Sequence, residues 1–407
     1  MIAATIACAA RARTPESAPA PAATKPAART APAEVPTPPE MPPFRESEEA
    51  TSAQLGRALD EGKAVRREVE WVEDHESVAS GEMAAGEYLV TYLVTPVDDY
   101  YDLEAAQSNF PAHHTTVMPG SAHVAVVVRD AADGRIVQGL TVHATLRSEG
   151  PSQDPGEEKS ADLPYGWHPV LNRYGENIVL PSSPFTLSVR IAMPKYRRHD
   201  HTNGDRFDRD VLARFEHVTV SSDSLAAASQ HLARGESREA MELAASEGSA
   251  LDLPLAGMLR DPDASGSQIR SGDYKVSVVV QRARGDWEDR DGKLMFISPD
   301  SDIGPIAHMD VLVRDAASGR LVPGLSVRAT ILDSRKRAID TYSMPFMWHP
   351  WMSHYGLNVP VPGNGRYTVR VRAEAPGFRR YGSSALKKFN KAIDAEVRGV
   401  RFVTAEK

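Results

Sequence analysis

Residues 122–146 read AHVAVVVRDAADGRIVQGLTVHATL, and residues 307–331 read AHMDVLVRDAASGRLVPGLSVRATI. The likeness continues downstream, because a Trp-His-Pro segment and then a Tyr-Gly-x-Asn segment follow in each copy, beginning at Trp167 and at Trp348. Repeats this long are duplicated domains, since solenoid units span only about 20–50 residues. Residues that agree between the copies are therefore expected to hold the fold. Polar residues that differ can show which copy carries a site.

Strand chemistry dominates both copies. In residues 123–129 valines recur at every second position, Val124, Val126 and Val128, so their side chains share one face of a β-strand. About seven short strands per copy, separated by turns and almost free of helical period, predict an antiparallel sandwich of immunoglobulin-like type. The predicted fold class is all-β: two tandem immunoglobulin-like β-sandwiches with a short helical linker and a disordered N-terminal tail.

This pattern divides the chain into five predicted regions. They are a signal remnant and disordered Pro/Ala-rich tether in residues 1–50, a short helical segment in 51–80, a first sandwich with a degenerate metal site in 81–221, a helical and flexible linker in 222–271, and a second sandwich with the candidate metal site in 272–407.

Composition narrows the function and the compartment. A net charge of -8 disfavours nucleic acid as the main partner, because phosphate binding needs a basic face. The single cysteine, Cys8, follows a run of small apolar residues and precedes the Pro-rich tether. This order predicts an exported protein, periplasmic or at the cell surface, with Cys8 as its lipid attachment site. Neither copy contains a phosphate loop, a nucleophile elbow or a zinc-protease helix, so we predict that the protein is not an enzyme.

The candidate metal ligands lie in the second copy. His308 and Asp310 are two residues apart on a strand, so both side chains leave the same face. Met347 and His354 lie in the following Trp-His-Pro loop, and imidazole, thioether and carboxylate together suit copper or ferrous iron. The first copy keeps His123 but replaces the other three ligands with Ala125, Gly166 and Arg173. His349 is matched by His168 in the first copy, which lacks the other ligands. We therefore expect a structural role for His349.

The second copy, over residues 307–382, resembles the periplasmic iron-transport-associated proteins, which bind copper and ferrous iron beside a membrane permease. That family pairs a strand His-x-Glu with a Met seven residues before the His of a His-Tyr-Gly-x-Asn segment. Here His308-x-Asp310 takes the first place, and Met347 lies seven residues before His354. The resemblance implies an immunoglobulin-like sandwich, bound copper or Fe(II), and a membrane permease as partner. Asp310 departs from the family pattern by being one methylene shorter.

The last ligand of that family is a His placed after the last-but-one strand, close to a dimer interface. The second copy has Tyr381 at this place, whereas the first copy has His199. We therefore expect an intramolecular pseudo-dimer of the two repeats, with one metal site built mainly by the second copy and completed by His199.

The sequence thus predicts an exported protein that reversibly coordinates copper or ferrous iron through His308, Asp310, Met347, His354 and His199 and assists a membrane iron transporter. Two alternatives stay open. One is a metal-free structural or interaction module that kept the sandwich and lost the site. The other is a copper enzyme, which would need an open coordination position. Convergence of His308, Met347 and His354 favours a metal site over the metal-free module.

Overall fold

A computed structural model of the chain describes residues 47–103, 118–150, 158–229, 237–258, 264–299, 305–382 and 385–402. Most of the predicted tether, with Cys8, lies outside these residues. Within the described part, no helix combines the length and the apolar character that crossing a membrane requires.

The first repeat is built from strands β1 to β11, and a helix precedes it. Helix α1 spans Ser52–His75. The strands are β1 (Ala79–Ala85), β2 (Tyr88–Thr95), β3 (Tyr100–Tyr101), β4 (Ser121–Asp130), β5 (Val142–Ser148), β6 (Glu158–Asp162), β7 (Tyr165–Trp167), β8 (Arg173–Val179), β9 (Phe185–Ile191), β10 (Arg197–Arg198) and β11 (Val211–Val218).

The second repeat follows two further helices, α2 (Ser222–Ser229) and α3 (Arg238–Met258). Its strands are β12 (Ser265–Ser271), β13 (Tyr274–Arg282), β14 (Asp286–Arg290), β15 (Lys293–Ile297), β16 (Ile306–Asp315), β17 (Val327–Leu332), β18 (Ala338–Met344), β19 (Phe346–Trp348), β20 (His354–Pro360), β21 (Gly365–Ala373), β22 (Arg379–Tyr381) and β23 (Ile393–Phe402). Strand β12 lies inside the range predicted as linker and pairs with β13 as an edge strand.

Each repeat folds as a sandwich of one large sheet and one four-stranded sheet. The first repeat combines the order β1-β2-β4-β8-β7-β22-β3 with β11-β9-β5-β6, and the second combines β12-β13-β16-β20-β19-β10-β14-β15 with β18-β17-β21-β23. The alternating valines of β4 and β16 point between the two sheets and form the apolar cores. The prediction of an all-β fold made of antiparallel sandwiches is confirmed.

Two very short strands join the repeats. Strand β10 of the first repeat pairs in parallel with β19 of the second, and β22 of the second pairs in parallel with β7 of the first. The tryptophans beside these pairings are exchanged as well, because Trp167 packs in the core of the second repeat and Trp348 in that of the first. Each large sheet is therefore completed by a segment from the other repeat.

Helices α1 and α3 cover the outer faces of the two large sheets. Val65 and Val69 of α1 pack with Ala125 and Val127 of β4, while Leu251 of α3 packs with Leu312 of β16. The helices are equivalent, because each carries a Glu-Gly pair whose glycine lies against a hairpin of its own repeat. A methyl group on Gly62 would lie 1.8 Å from the Asp133 carbonyl oxygen, and one on Gly248 would lie 1.9 Å from that of Ser318. The duplicated unit therefore includes a helix as well as a sandwich.

Candidate metal centre

The candidate ligands lie on the outer face of the large sheet in the second repeat. In β16 the inward residues Met309 and Val311 belong to the core, so the alternate residues His308 and Asp310 point outward. Both are completely buried, because residues of the other repeat and of the N-terminal segment cover this face. Strand β20 pairs antiparallel to β16 and places Gly356 opposite Asp310.

Neighbouring strands bring the remaining candidates to the same face. His354 is two residues from Gly356, so its side chain leaves β20 on the side of Asp310. Met347 lies directly opposite His354 in the β19–β20 pair and is completely buried. His199 follows β10 immediately, and its backbone N–H donates to the Trp348 carbonyl oxygen at 2.9 Å. All five predicted residues are thus positioned by strand pairing, and one of them comes from the first repeat.

Three imidazoles and one carboxylate converge. The Nε2 atoms of His199 and His308 are 3.1 Å apart. Asp310 Oδ1 lies 2.9 Å from His308 Nε2 and 3.0 Å from His354 Nε2. One nitrogen from each of His199, His308 and His354 lies within 4.8 Å of the others. Bonds of about 2.0–2.2 Å to a single ion are compatible with this spacing.

The opposite nitrogen of each imidazole faces an oxygen. His308 Nδ1 is 3.0 Å from Asn358 Oδ1, and His354 Nδ1 is 3.0 Å from the Met352 carbonyl oxygen. Because a carbonyl oxygen can only accept, both Nδ1 atoms carry a proton, and in the neutral imidazoles both Nε2 atoms then keep a lone pair for a metal. Without a metal, the Asp310 carboxylate beside both Nε2 atoms favours a second proton there. Asn358 Nδ2 donates to the Arg284 carbonyl oxygen at 2.6 Å, which fixes the orientation of the amide. The tautomers therefore suit metal binding at Nε2.

The charges of the cluster are strongly coupled. Burial opposes ionisation of Asp310, but His354 and His308 outweigh it and hold the pKa of this carboxyl well below its ordinary value. Burial also disfavours the charged form of His354, yet Asp310 raises the pKa of that imidazole. For His199, burial lowers the pKa to about 3, so the ring is neutral at neutral pH. A neutral imidazole is the form that coordinates metals.

The space between the ligands fits an ion. Asp310 Oδ1 and His354 Nε2 are buried and have no hydrogen bond of good geometry. A methyl group on Gly356 would lie 2.8 Å from His308 Nε2 and 2.9 Å from His354 Nε2, so only glycine leaves this space open. The donor set of three imidazoles, a carboxylate and a neighbouring thioether is one that binds copper and ferrous iron.

A pocket of about 400 Å³ leads from the surface to His354 and His349. One wall is formed by residues 47–51, which precede α1 and are called the N-terminal strap below. The pocket is also lined by Gln281, Arg284, Trp351 and Met352.

Two residues at the site were missed by sequence reasoning. Gln281 of β13 donates from Nε2 to Asp310 Oδ2 at 2.9 Å and holds the carboxylate. Glu49, which was predicted to lie in a disordered tether, has its Oε2 3.3 Å from His199 Nδ1 and 3.4 Å from His349 Nε2. No periodicity marks Glu49. The capping box of Thr51 and Gln54, however, indicates that the chain is ordered from the start of α1.

The equivalent place in the first repeat is filled. Tyr381 enters it from β22, with its ring centroid 5.1 Å from that of His123. A methyl group on Gly166, the counterpart of Met347, would lie 2.2 Å from the Tyr381 ring. Arg173, the counterpart of His354, lies 3.3 Å from Asp98 and 3.9 Å from Glu76. The first repeat therefore holds an aromatic ring and an ion-pair network where the second holds three imidazoles.

Comparison with known proteins finds a similarity for part of the second repeat. A family model described as Fe2+ transport protein matches residues 311–391, a range that contains Met347 and His354. No curated protein matches the chain significantly.

Three solved structures are similar to the chain. FetP of uropathogenic Escherichia coli is 14% identical, with 35% of this chain and 97% of FetP covered and a TM-score of 0.26. A copper-bound variant of the same FetP is 14% identical, with coverages of 34% and 95% and a TM-score of 0.24. A copper-bound variant of Campylobacter jejuni P19 is 11% identical, with coverages of 35% and 99% and a TM-score of 0.26.

The family match covers the strands that position Met347 and His354, and it ends before the last strand, β23. Residues 311–391 of the second repeat are thus similar to the family described as Fe2+ transport protein.

Proposed function

We propose that this chain is an exported metal-binding protein that reversibly coordinates copper or ferrous iron at one site in its second repeat. The observation that carries the proposal is the convergence of His199, His308 and His354 with Asp310 in a buried cluster whose Nε2 lone pairs point at one another. The family match over residues 311–391 adds support. The mechanism is coordination and release, with no covalent step.

Donor chemistry defines the candidate ions. The thioether of Met347 favours copper(I), while the imidazoles and Asp310 also accept copper(II) and iron(II). His199 is the ligand from the first repeat, so the site forms only when both repeats are folded together. We propose that this arrangement is an intramolecular version of a dimer site.

A titration of the full chain with copper(I), copper(II) and, without oxygen, iron(II) tests the function. The wild type is expected to bind one equivalent. His354→Ala is expected to lose this binding, because it removes a converging nitrogen. His217→Ala, whose side chain is 81% exposed, is the matched histidine control and should bind like the wild type. If neither the wild type nor the control binds any of these ions, the metal-free structural module replaces the metal carrier.

Export and partnership complete the proposal. We propose that the mature chain lies outside the cytoplasm, is lipid-anchored through Cys8, and presents its ion to a membrane iron permease. Incorporation of labelled palmitate into the wild type but not into Cys8→Ser would support the anchor. Iron uptake by cells that depend on the protein should be restored by the wild type and not by His354→Ala. Equal restoration by both would exclude the transport role.

A further inference from the structure

The N-terminal strap is tied to the loop that carries His199. Within the strap, Ser47 Oγ accepts from the Ala50 backbone N–H at 2.8 Å, and it donates to Asp200 Oδ2. Thr202 Oγ1 donates to Glu48 Oε1 at 3.2 Å. The strap is therefore anchored to the first repeat next to the metal centre, although it lies about 150 residues away along the chain.

Glu49 is the strap residue that reaches inward. Its side chain is 9% exposed, and Oε2 faces His199 Nδ1, His349 Nε2 and, at 3.6 Å, Arg284 Nη1. Neither ring contact has full hydrogen-bond geometry, since Glu49 Oε2 and His199 Nδ1 are buried without a hydrogen bond. The carboxylate therefore acts on both rings as a nearby negative charge, which favours a proton on the nitrogen that faces it.

The proton positions of the two histidines follow from their other contacts. His349 Nδ1 lies 3.3 Å from the Trp351 backbone N–H, which can only donate. The proton of neutral His349 is therefore on Nε2, the atom that faces Glu49 at 3.4 Å, so this nitrogen has no lone pair for a metal. His199 meets Glu49 with Nδ1 and meets His308 with Nε2. With the proton on Nδ1, His199 directs it at Glu49, and its Nε2 lone pair faces that of His308, where a metal ion would lie between them.

We propose that Glu49 is a positioning residue for His199: its carboxylate holds the Nδ1 tautomer and directs the Nε2 lone pair of His199 into the metal centre. This inference rests on the proposed metal-binding function. The carboxylate also makes Nε2 a stronger donor, as carboxylates do behind metal-bound histidines in general. His308 and His354 obtain the same orientation from an amide and a backbone carbonyl, whereas the imported His199 depends on a segment outside both sandwiches.

The first repeat supports this assignment by contrast. Tyr381, the counterpart of His199, has no tautomer to select. In the sequence, Gly235 stands as far before Gly248 of α3 as Glu49 stands before Gly62 of α1. At this position in the sequence the acid is present before α1 and absent before α3.

Two variants and one matched control test the role of Glu49. Copper(II) affinity is measured for Glu49→Ala and Glu49→Gln in the full chain. The control is Glu48→Gln, a side chain 60% exposed, whose amide oxygen can still accept from Thr202 Oγ1. Loss of the carboxylate is expected to weaken binding roughly 10–100-fold, as for other outer partners of metal-bound histidines. Glu49→Gln is expected to lie between Glu49→Ala and the wild type, because its amide oxygen still accepts one hydrogen bond. Glu48→Gln should match the wild type.

A double-mutant cycle separates positioning from a merely structural role. In a His199→Ala background, Glu49→Ala should weaken copper(II) binding no further. An equal weakening in both backgrounds, or none in the wild-type background, would overturn the inference.

Long-range ¹H–¹⁵N NMR of the ion-free chain gives a readout that does not depend on metal binding. His199 should carry its proton on Nδ1 in the wild type and shift toward the Nε2 tautomer in Glu49→Ala. An unchanged tautomer would contradict the proposal even if the metal site is real. Absence of copper binding by the wild type would instead refute the proposed function and leave this tautomer result standing.

Discussion

The two repeats use the same strand face for opposite purposes. In the second repeat, His308, Asp310 and His354 leave an open space that is lined by nitrogen and oxygen atoms. In the first, Tyr381 fills the equivalent space beside His123, and Arg173 replaces the third imidazole. The backbone pairing is the same in both, because Ala125 lies opposite Gly175 as Asp310 lies opposite Gly356. Side-chain chemistry on one conserved frame therefore decides whether the face can bind an ion.

The exchange of segments explains how the asymmetry is maintained. Each repeat places one residue from a short strand region into the other repeat. His199 directly follows β10, and Tyr381 is the last residue of β22. One donated side chain is a candidate ligand, and the other fills the equivalent space. Each large sheet needs a segment of the other repeat to be complete. The first repeat, whose own face is filled by Tyr381, therefore still contributes His199 to the candidate site of the second.

The largest expected effect comes from removing equivalent histidines from the two faces. His308→Ala should weaken copper binding by more than about 100-fold, because even the loss of an outer partner costs roughly 10–100-fold. His123→Ala should leave copper affinity unchanged, since its face holds no other ligand. Calorimetric titration of both variants checks the difference. Equal losses in the two variants would mean that the first repeat takes part in binding.

A second expected effect concerns stability, and it is confined to the first repeat. Arg173 is 1% exposed and is the cation beside Asp98 and Glu76. Arg173→Ala should lower the free energy of unfolding by about 3–5 kcal/mol, because it leaves buried carboxylates unpaired. Copper stoichiometry should not change.

Arg190→Ala is the surface control for this variant. Its partner Asp210 is 45% exposed, and such pairs contribute about 0–1 kcal/mol. Denaturant unfolding of both variants measures the difference. A copper site weakened by Arg173→Ala would show that the two faces are coupled.

The sequence alone predicts those differences between the repeats that depend on strand periodicity or on the internal duplication. Alternation in residues 307–313 predicts the shared face of His308 and Asp310, and the repeat alignment exposes Arg173 as the counterpart of His354. The complementary pattern of His199 and Tyr381 also predicts a pseudo-dimer with a site shared between the repeats. All of these signals are carried by neighbouring residues or by the internal duplication.

The remaining features depend on contacts that no local pattern encodes. Strand β10 has two residues, too few for a recognisable alternation, so its pairing with β19 follows only from the assembled fold. Glu49 meets His199 across about 150 residues, within a stretch whose composition predicts disorder. The Glu-Gly pairs at Glu61 and Glu247 were a readable sign that α1 and α3 belong to the duplicated unit.

Acid should destabilise the first repeat through protonation of His123. Burial, assisted by Arg173, lowers the pKa of His123 to about 3, whereas an unfolded histidine titrates near 6.5. The unfolded state therefore takes up this proton first, and the stability contributed by neutral His123 is full above about pH 6.5 and is lost as the pH falls toward 3. Between pH 7 and 5 the loss is about 2 kcal/mol for this one residue.

His123→Gln, which cannot titrate, should remove that part of the pH dependence. Unfolding free energies of wild type and variant at pH 7 and pH 5 measure the effect. If the unfolding free energy of His123→Gln depends on pH as that of the wild type does, His123 takes up its proton in the folded chain near the same pH as in the unfolded chain.

The smallest expected effect comes from adding one methyl group to each face. A methyl on Gly356 would lie 2.8 Å from His308 Nε2, and one on Gly175 would lie 2.5 Å from His123 Nε2. Both contacts push on the end of an imidazole, so a small movement relieves them, and overpacking of this kind costs about 1–3 kcal/mol. In Gly356→Ala the displaced atoms are the ligands, so copper affinity should fall about tenfold, the lower end of that range. In Gly175→Ala the same displacement should lower stability and leave copper affinity unchanged. Copper titration and denaturant unfolding of both variants separate the two results. If Gly356→Ala binds copper like the wild type, the ion does not lie above Gly356, and the converging Nε2 atoms are not its ligands.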